Sequence, residues 1–330
     1  MQSENLLPFS VVIAVKNGAD SLPSLIQSLA GQNIDWDKGE VIFALNNCDD
    51  ESEAIVEEAS HQYNYMTYFH EKNIPEGISP KKYALSKALQ QAKGDVILQT
   101  DADCQLPENW ILSHLSIYQR FPETQAVYGL FKYNLPAGIA SWFIHTEKLL
   151  GFIISVASIV HERAILAFGV NLSYRLPKDR LIQLMKDHWT VLSGDDDLTI
   201  QQLSAQGIPI RFCDETESYP TTEIPLSFRS FIRQRLRHLG AGKRYSFFPR
   251  IFYTALISSW TLILFLFPFI SYGYIGLGIK LVLDIILFGI FAGKYNYMFN
   301  LFGLFLLEVV YIPYVWLIGI LSRILPTKWK

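Results

Sequence analysis

Short apolar runs alternate with segments of helical periodicity over the first hundred residues of the chain. The runs are rich in β-branched side chains and predict strands over 8–15, 40–45, 65–70 and 95–100. Between them, helical spacing of apolar residues predicts helices near 22–29, 51–60 and 80–92, the first with Ser21 as its N-cap. Such alternation is typical of βαβ units and predicts an α/β domain with a doubly wound, mainly parallel sheet.

Polar turns at 16–18, 46–50 and 101–103 follow three of these predicted strands. In a doubly wound sheet the carboxyl ends of the parallel strands meet at one edge, and ligands bind beyond that edge. We therefore expect the three turns to line one crevice.

The last 80 residues are strongly apolar. Stretches at 251–270, 274–292 and 298–321 approach or exceed the length that crosses a hydrocarbon core of about 30 Å. Charged residues or a proline interrupt the later two stretches, at Lys280, Asp284, Glu308 and Pro313. We predict two or three membrane spans within 251–330.

A further apolar segment, 138–163, lies inside the soluble part of the chain. Its apolar run is broken by Glu147 and Lys148, which disfavours a span. A core helix and an interfacial helix that borders a lipid acceptor are the two favoured interpretations, and a true membrane span is the third.

Charge divides the chain in the same way. Only seven of the 59 charged side chains lie in 251–330, so residues 1–225 are expected to form a soluble domain. The N-terminus lacks the features of a signal peptide. Three cysteines are too few for a disulfide framework, and a net charge of −3 favours no nucleic acid partner.

Residues 226–250 carry basic side chains and no acid. We predict that this segment is an amphipathic interface helix on the membrane surface that closes the donor site. The positive-inside rule then places the soluble domain on the cytoplasmic side of an integral membrane protein. Its cations are Arg229, Arg233, Arg235, Arg237, Lys243, Arg244 and Arg250, and its apolar residues are Leu226, Phe228, Phe231, Ile232, Leu236, Leu239, Phe247 and Phe248.

Two acidic motifs are candidates for chemistry. Asp101 and Asp103 follow a buried strand, where two carboxylates can hold a hard cation beside phosphate oxygens. Residues 195–197 are three consecutive aspartates, whose like charges should raise each other's pKa toward the range of a general base.

Together these motifs resemble the membrane-bound family 2 glycosyltransferases, which have the GT-A fold and a D-x-D metal motif. The layout is similar to that of lipid-acceptor enzymes such as ceramide glucosyltransferase. The resemblance implies Mg²⁺ or Mn²⁺ as cofactor, held by Asp103 and Asp101.

The resemblance also implies donor-binding residues. The segment from Ser10 to Asn17 resembles the opening strand and turn that hold the nucleotide, and asparagine replaces the leading aspartate of the second turn. Lys81 matches a lysine near the donor phosphates, and Gln234 with Arg237 matches a Q-x-x-R motif that pairs with the pyrophosphate. The donor residues implied are Ala14, Lys16, Asn17, Asn46, Asp50 (or Asp49 in its place), Lys81, Asp101, Gln234 and Arg237.

In related enzymes the catalytic base precedes a glycine by a characteristic number of residues. Counting back from Gly207 selects Asp196 as the base, with Asp195 beside it. The segment 168–175 resembles the acceptor side and implies Asn171 and Arg175. His238 stands where the family has tryptophan.

The resemblance implies an inverting enzyme that moves sugar from a nucleotide diphosphate sugar, a UDP-sugar by preference, to a lipid or glycan hydroxyl in the membrane. Two alternatives stay open. One is a polyprenyl-phosphate sugar synthase, and the other is a non-catalytic membrane scaffold with the same fold.

Overall fold

The computed structural model describes residues 6–136, 138–223, 228–266, 269 and 273–324. The first four predicted strands and three predicted helices form within two residues of their expected bounds. They are β1 (Phe9–Val15), α1 (Leu22–Ala30), β2 (Gly39–Asn46), α2 (Ser52–Gln62), β3 (Met66–Glu71), α3 (Pro80–Gln91) and β4 (Val96–Gln99).

The remainder of the domain consists of shorter strands and further helices. They are β5 (Cys104–Gln105), α4 (Trp110–Arg120), β6 (Ala126–Gly129), β7 (Lys132–Asn134), α5 (Ile139–Val160), β8 (Leu172–Tyr174), α6 (Lys178–Lys186), α7 (Asp197–Ala205), β9 (Ile210–Cys213) and β10 (Thr221–Glu223).

Among the described residues, seven strands form one sheet in the order β3-β2-β1-β4-β8-β6-β9. β8 is antiparallel to β4 and β6, and every other neighbouring pair is parallel. β1 and β4 are completely buried, which fits strands covered by helices on both faces. The predicted α/β fold with a mainly parallel sheet is confirmed. A smaller sheet, in the order β5-β10-β7, starts directly after the turn that follows β4.

The C-terminal part is helical, as predicted. It contains α8 (Phe228–Ala241), α9 (Phe247–Leu266), α10 (Gly273–Lys294) and α11 (Leu301–Ile324). Within the described ranges, α5, α9, α10 and α11 are long and apolar enough to cross a membrane, as judged by length and composition. Lys280 of α10 forms ion pairs with Asp284 and with Glu308 of α11, each at 2.6 Å, so charges in this apolar region are matched.

Helix α5 joins the two parts of the molecule. It packs against β9 of the sheet and against α10 and α11. Leu149 and Phe152 are buried, whereas Ile139 and Val160 near its ends are exposed. The buried middle of α5 fits the core-helix interpretation, while its length and composition are also those of a membrane span. The interfacial helix that borders a lipid acceptor stays a prediction.

The basic segment differs from its prediction. Arg235 is 7% exposed and Leu236 is buried, so neither side chain faces lipid. The reason is that α8 packs against α11 and Arg235 forms a 2.6 Å ion pair with Glu147 of α5. Leu239, Phe247 and Phe248 are exposed, as an interfacial face requires. Leu226 and the side chains of Phe228 and Arg229 lie outside the described residues.

Candidate active site

Hydrogen bonds join the turns after β1 and β2. The ammonium of Lys16 donates to the Asn47 carbonyl oxygen and lies 3.7 Å from the exposed Asp49 carboxylate. The side-chain oxygen of Asn17 accepts from the Asp49 N–H at 3.1 Å. Asn17 and Asn47 both adopt positive φ, a conformation that asparagine tolerates better than most residues. The two turns therefore form one rigid rim.

Asp50 strengthens that rim. Its carboxylate accepts from the N–H groups of Ala19 at 3.0 Å and Ser52 at 3.1 Å. Burial opposes the effect, but these hydrogen bonds lower the pKa of Asp50. The Asp50 carboxylate is thus used to hold the turns together. Of the two acids, Asp49 is therefore the one whose carboxylate is more accessible to a ligand. Ala14 and Asn46 are buried at the carboxyl ends of β1 and β2.

The third turn meets the first through Ser21. Its hydroxyl donates to the Ala102 carbonyl oxygen at 2.9 Å and makes no capping bond to α1, although Ser21 occupies the N-cap position. Ser21 is therefore the N-cap residue of α1, as predicted, but its hydroxyl binds the turn after β4 and not the helix. The predicted convergence of three turns on one sheet edge is confirmed.

Lys81 connects two acidic segments that are distant in sequence. At the start of α3, its ammonium lies 2.8 Å from Asp101 and 2.8 Å from Asp195. Burial opposes the charge, but these two carboxylates raise the pKa of Lys81. The lysine stays protonated and holds the D-x-D turn against the triple aspartate.

The three consecutive aspartates have different surroundings. Asp195 is buried and accepts a hydrogen bond from Gln99 at 3.1 Å, and Lys81 keeps its pKa below the usual range despite burial. The half-buried Asp196 accepts from the N–H groups of Gly169 at 2.8 Å and Asp197 at 2.7 Å, and burial together with Asp195 raises its pKa.

Asp197 is buried and accepts a 2.5 Å hydrogen bond from the Tyr245 hydroxyl. Burial and the neighbouring Asp196 raise the pKa of Asp197 to about 8. The expectation that the aspartates raise each other's pKa is therefore right for Asp196 and Asp197. It is wrong for Asp195, because Lys81 neutralises that carboxylate.

Lys82 holds the segment that leads into the aspartates, a function that the sequence reasoning missed. Its fully buried ammonium donates to the carbonyl oxygens of His188 at 3.0 Å, Val191 at 2.9 Å and Ser193 at 2.8 Å. Consecutive lysines at the start of a helix were the available signal. Because neighbouring helical residues point in different directions, one lysine can face the carboxylates while the next holds the loop.

The basic helix α8 brings further positive charge to the site. Gln234, Arg237 and His238 are half-buried. Burial and the charges of Arg237 and Lys148 hold the pKa of His238 well below its usual range, and Lys81 acts in the same direction. Among the described residues, Arg237 has no carboxylate partner, so its guanidinium is available to an anion.

The two predicted acceptor-side residues lie at opposite ends of β8. Asn171 is completely buried, and its amide is bonded to Trp110 at 2.8 Å, His114 at 2.7 Å and the Leu130 carbonyl oxygen at 2.6 Å. Arg175 follows β8, which is antiparallel to β4, and it lines a surface cavity with Asp95 at the opposite edge of the sheet. Because β8 is antiparallel to β4, Asn171 before its start lies at the sheet edge of Asp101, whereas Arg175 after its end lies at the opposite edge. The acceptor roles of both residues stay predictions.

The metal assignment depends on Asp101 and Asp103. Across the described ranges, no group of three or more histidine, cysteine, aspartate or glutamate residues has the geometry to hold a metal ion. Two carboxylates on one turn fit a cation whose other ligands are phosphate oxygens. Since Asp101 is already paired with Lys81, Asp103 is the better candidate for direct contact.

Solved structures with the same architecture define the fold. The mannosyltransferase PcManGT from Pyrobaculum calidifontis, in complex with GDP-Man and Mn²⁺, is 17% identical with a TM-score of 0.55, over 71% of this chain and 61% of its own. GalNAc-T7, with UDP, GalNAc and Mn²⁺, is 17% identical with a TM-score of 0.50, over 70% of this chain and 48% of its own. The chain thus spans less than two thirds of each, and the likeness shows the fold alone, which is GT-A.

The sequence adds a second finding. Residues 10–170, just under half of the chain, match the family described as Glycosyl transferase family 2. This part of the chain is therefore similar to family 2 glycosyltransferase domains. No curated protein matches the chain.

Proposed function

We propose that this protein is an inverting glycosyltransferase, which moves a sugar from a nucleotide diphosphate sugar to a hydroxyl of a membrane-borne acceptor. The observation that carries the proposal is the double ion pair of Lys81 with Asp101 and Asp195. It brings the D-x-D turn and the acidic loop together at the edge where the nucleotide turns meet. The family match and the GT-A fold support the same activity.

Asp196 is the residue that we assign as general base. Its raised pKa favours proton uptake, and the backbone N–H groups of Gly169 and Asp197 fix its orientation. The acceptor oxygen attacks the anomeric carbon from the face opposite the diphosphate, and Asp196 takes the hydroxyl proton. The bond from that carbon to the phosphate oxygen breaks, so the nucleotide diphosphate leaves and the configuration inverts.

Arg237 and Lys81 are the cations that we place beside the leaving diphosphate. A fixed guanidinium can bind two phosphate oxygens at once and offset the charge that develops there. Asp103, with Asp101, would hold the divalent cation, which supplies further neutralisation of the diphosphate when bound. The two GT-A structures described above were both solved with Mn²⁺.

A membrane acceptor is supported by the position of the aspartates. The Tyr245 hydroxyl contacts Asp197 at 2.5 Å, and α9 begins two residues later at Phe247. The acidic loop is therefore close to the start of the first apolar tail helix. A lipid acceptor in the interface would reach the base without leaving the membrane.

The test uses the purified full chain in detergent with Mn²⁺, UDP- and GDP-sugars and a membrane lipid extract, with product lipids detected by mass spectrometry. Asp196→Asn should reduce turnover about 10²–10⁴-fold, the usual contribution of a general base. Asparagine is as good an N-cap as aspartate, so α7 should survive the change. Asp37→Asn, exposed near the opposite edge of the sheet, is the matched control. The proposal is wrong if no sugar is transferred, or if both variants keep full activity.

A further inference from the structure

Lys148 is a buried cation that the proposed mechanism leaves unused. It lies in the middle of α5, next to Glu147, and is 8% exposed. Glu147 is paired with Arg235 at 2.6 Å. Among the described residues, Lys148 has no hydrogen-bond acceptor and no carboxylate within ion-pairing distance.

Aromatic rings form the immediate surroundings of the Lys148 ammonium. Its nitrogen lies 5.1 Å from the centre of the Phe168 ring and 5.8 Å from that of Tyr133. Such contacts attract a cation but do not replace the hydrogen bonds that water would make. A buried ammonium in this setting favours an anionic partner.

The position of Lys148 relates it to the acceptor side of the site. Phe168 directly precedes Gly169, whose N–H holds Asp196. The charged groups that act on Lys148 are Arg235 and Glu147, from α8 and α5, and Asp196 from the acidic loop. Burial and Arg235 lower the pKa of Lys148 to about 7.

The other cations of the site have partners or an assigned ligand. Lys81 is neutralised by two aspartates, and Arg235 is paired with Glu147. Arg237 is assigned to the donor diphosphate. Lys148 differs from all three because, among the described residues, it has neither a carboxylate partner nor an assigned ligand, and it lies on α5, the helix that packs on α10 and α11.

We infer that Lys148 is an anion-binding position for the acceptor, which recognises a phosphate or carboxylate carried by a membrane lipid and holds it beside Asp196. The inference rests on the proposed function and specifies its acceptor as an acidic lipid. A bound oxyanion gives the ammonium the charge-assisted hydrogen bonds that the protein does not supply.

Binding can be measured without turnover. The full chain in neutral detergent is titrated with dioctanoyl phosphatidate against dioctanoylglycerol and with dodecanoate against dodecanol, and intrinsic tryptophan fluorescence is followed. The protein should prefer the anionic member of at least one pair by about tenfold or more. Lys148→Met should abolish that preference, whereas Lys148→Arg should keep most of it. Lys93→Met removes an exposed cation outside the basic segment and should change the preference less than about twofold.

A measurement on the unaltered protein does not depend on how the variants fold. The preferred anionic lipid should slow the acetylation of Lys148 by acetic anhydride, read by mass spectrometry, whereas its neutral counterpart should not. Glycerol 3-phosphate is the soluble source of the same anion and should protect much less, because it lacks the apolar chains.

Four results would overturn the inference. In the titrations, these are equal binding of the neutral and anionic lipids, and an unchanged preference for the anionic lipid in Lys148→Met. In the acetylation experiment, it is protection by glycerol 3-phosphate equal to that by phosphatidate. The fourth is loss of UDP and Mn²⁺ binding in Lys148→Met. The last result would assign Lys148 to the donor. If the unaltered protein binds neither UDP nor GDP with Mn²⁺, the proposed function fails, while the lipid comparison can still be read.

Discussion

Single residues in this site owe their chemistry to their contacts. Asp195, Asp196 and Asp197 share one chemical structure, yet Lys81 keeps the first charged, while burial without a cationic partner favours the protonated form of the last. The middle one is the least buried of the three and is oriented by two backbone donors. One run of identical side chains thus supplies a charged anchor, a candidate base and a hydrogen-bonded neutral acid.

Asp197 makes stability depend on pH in a direction that can be tested. Its folded pKa of about 8 lies above the ordinary value of 3.8, so the folded state holds a proton that the unfolded state has lost. Stability from this group is present below pH 3.8 and is lost as pH rises through 8.

Asp197→Asn should remove that dependence while keeping an acceptor for Tyr245. We expect the unfolding temperature of the natural protein in detergent to fall more between pH 6 and 9 than that of the variant. Asp37→Asn, which replaces an exposed acid, should follow the natural protein. Parallel curves for all three proteins would contradict a protonated Asp197.

At the scale of elements, the site depends on where the helices begin, because their first residues and the adjoining loops position its side chains. α3 directs Lys81 to the carboxylates and Lys82 to the loop behind them. α7 begins at the aspartates, and α8 carries Arg237. Small errors in these ends would separate groups that must act together.

Gly194 is the glycine whose conformation this arrangement requires. It has φ +82°, and a Cβ there would lie 2.7 Å from a Leu198 methyl carbon and 2.9 Å from the Asp197 carboxylate. Gly207 also has positive φ, at +69°, but has no atom within 4 Å of such a Cβ. Alanine at either position should lower the free energy of unfolding by about 1 kcal/mol, because a residue with a Cβ disfavours positive φ.

Only Gly194→Ala should also displace the aspartates. We expect its kcat to fall by about tenfold or more, because displaced catalytic groups lose rate steeply, while Gly207→Ala keeps its activity. Thermal unfolding and sugar transfer measured on both variants separate the two effects. Equal activity losses would mean that backbone strain alone is responsible.

Helix α8 offers a matched pair of arginines. Arg237 is half-buried among the cations of the site, whereas Arg233, one turn earlier, is exposed. Arg237→Gln should reduce turnover by about tenfold or more through the lost phosphate contact, while Arg233→Gln should stay within about twofold. Membrane attachment, measured by carbonate extraction, should be the same in both. Similar turnover in the two variants would make Arg237 an ordinary surface charge.

At the scale of the whole molecule, the catalytic domain and the apolar helices are packed together. α5 lies on both, α8 packs on α11, and Tyr297, between α10 and α11, donates to the Phe131 carbonyl oxygen at 2.8 Å. The candidate site is therefore held at a fixed position relative to the apolar helices, and so at one level of a membrane that they cross. We propose that this level is the cytoplasmic surface, since the basic residues of 226–250 favour that side.

Cysteine labelling tests this orientation. Lys93 is exposed in the catalytic domain, and Cys48 is half-buried, so Lys93→Cys is made together with Cys48→Ser. A membrane-impermeant maleimide should label Cys at this position after membranes are opened and not in intact cells. Labelling in intact cells would place the domain outside. The Cys48→Ser protein alone gives the background.

The local pattern of apolar residues was enough to predict the strands and helices that have a regular sequence periodicity. The strands up to Val96–Gln99 and the apolar helices follow from periodicity and length, because a buried strand or a long apolar helix needs many consecutive residues of one character. The three-residue strand Leu172–Tyr174 carries too little pattern to reveal itself. Its antiparallel direction places Asn171 at the sheet edge of the three turns and Arg175 at the opposite edge.

The sequence by itself determined a parallel α/β domain, an apolar helical tail and three polar turns at one sheet edge, since each depends on local periodicity and on strand direction. Only the tertiary structure decided which carboxylate pairs with Lys81, that Arg235 is buried against Glu147, and that Lys148 is buried beside Phe168. Those contacts join residues from different helices and loops. The electrostatic interactions between these charges become strong enough to shift pKa values only when packing removes water and sets the distances between them.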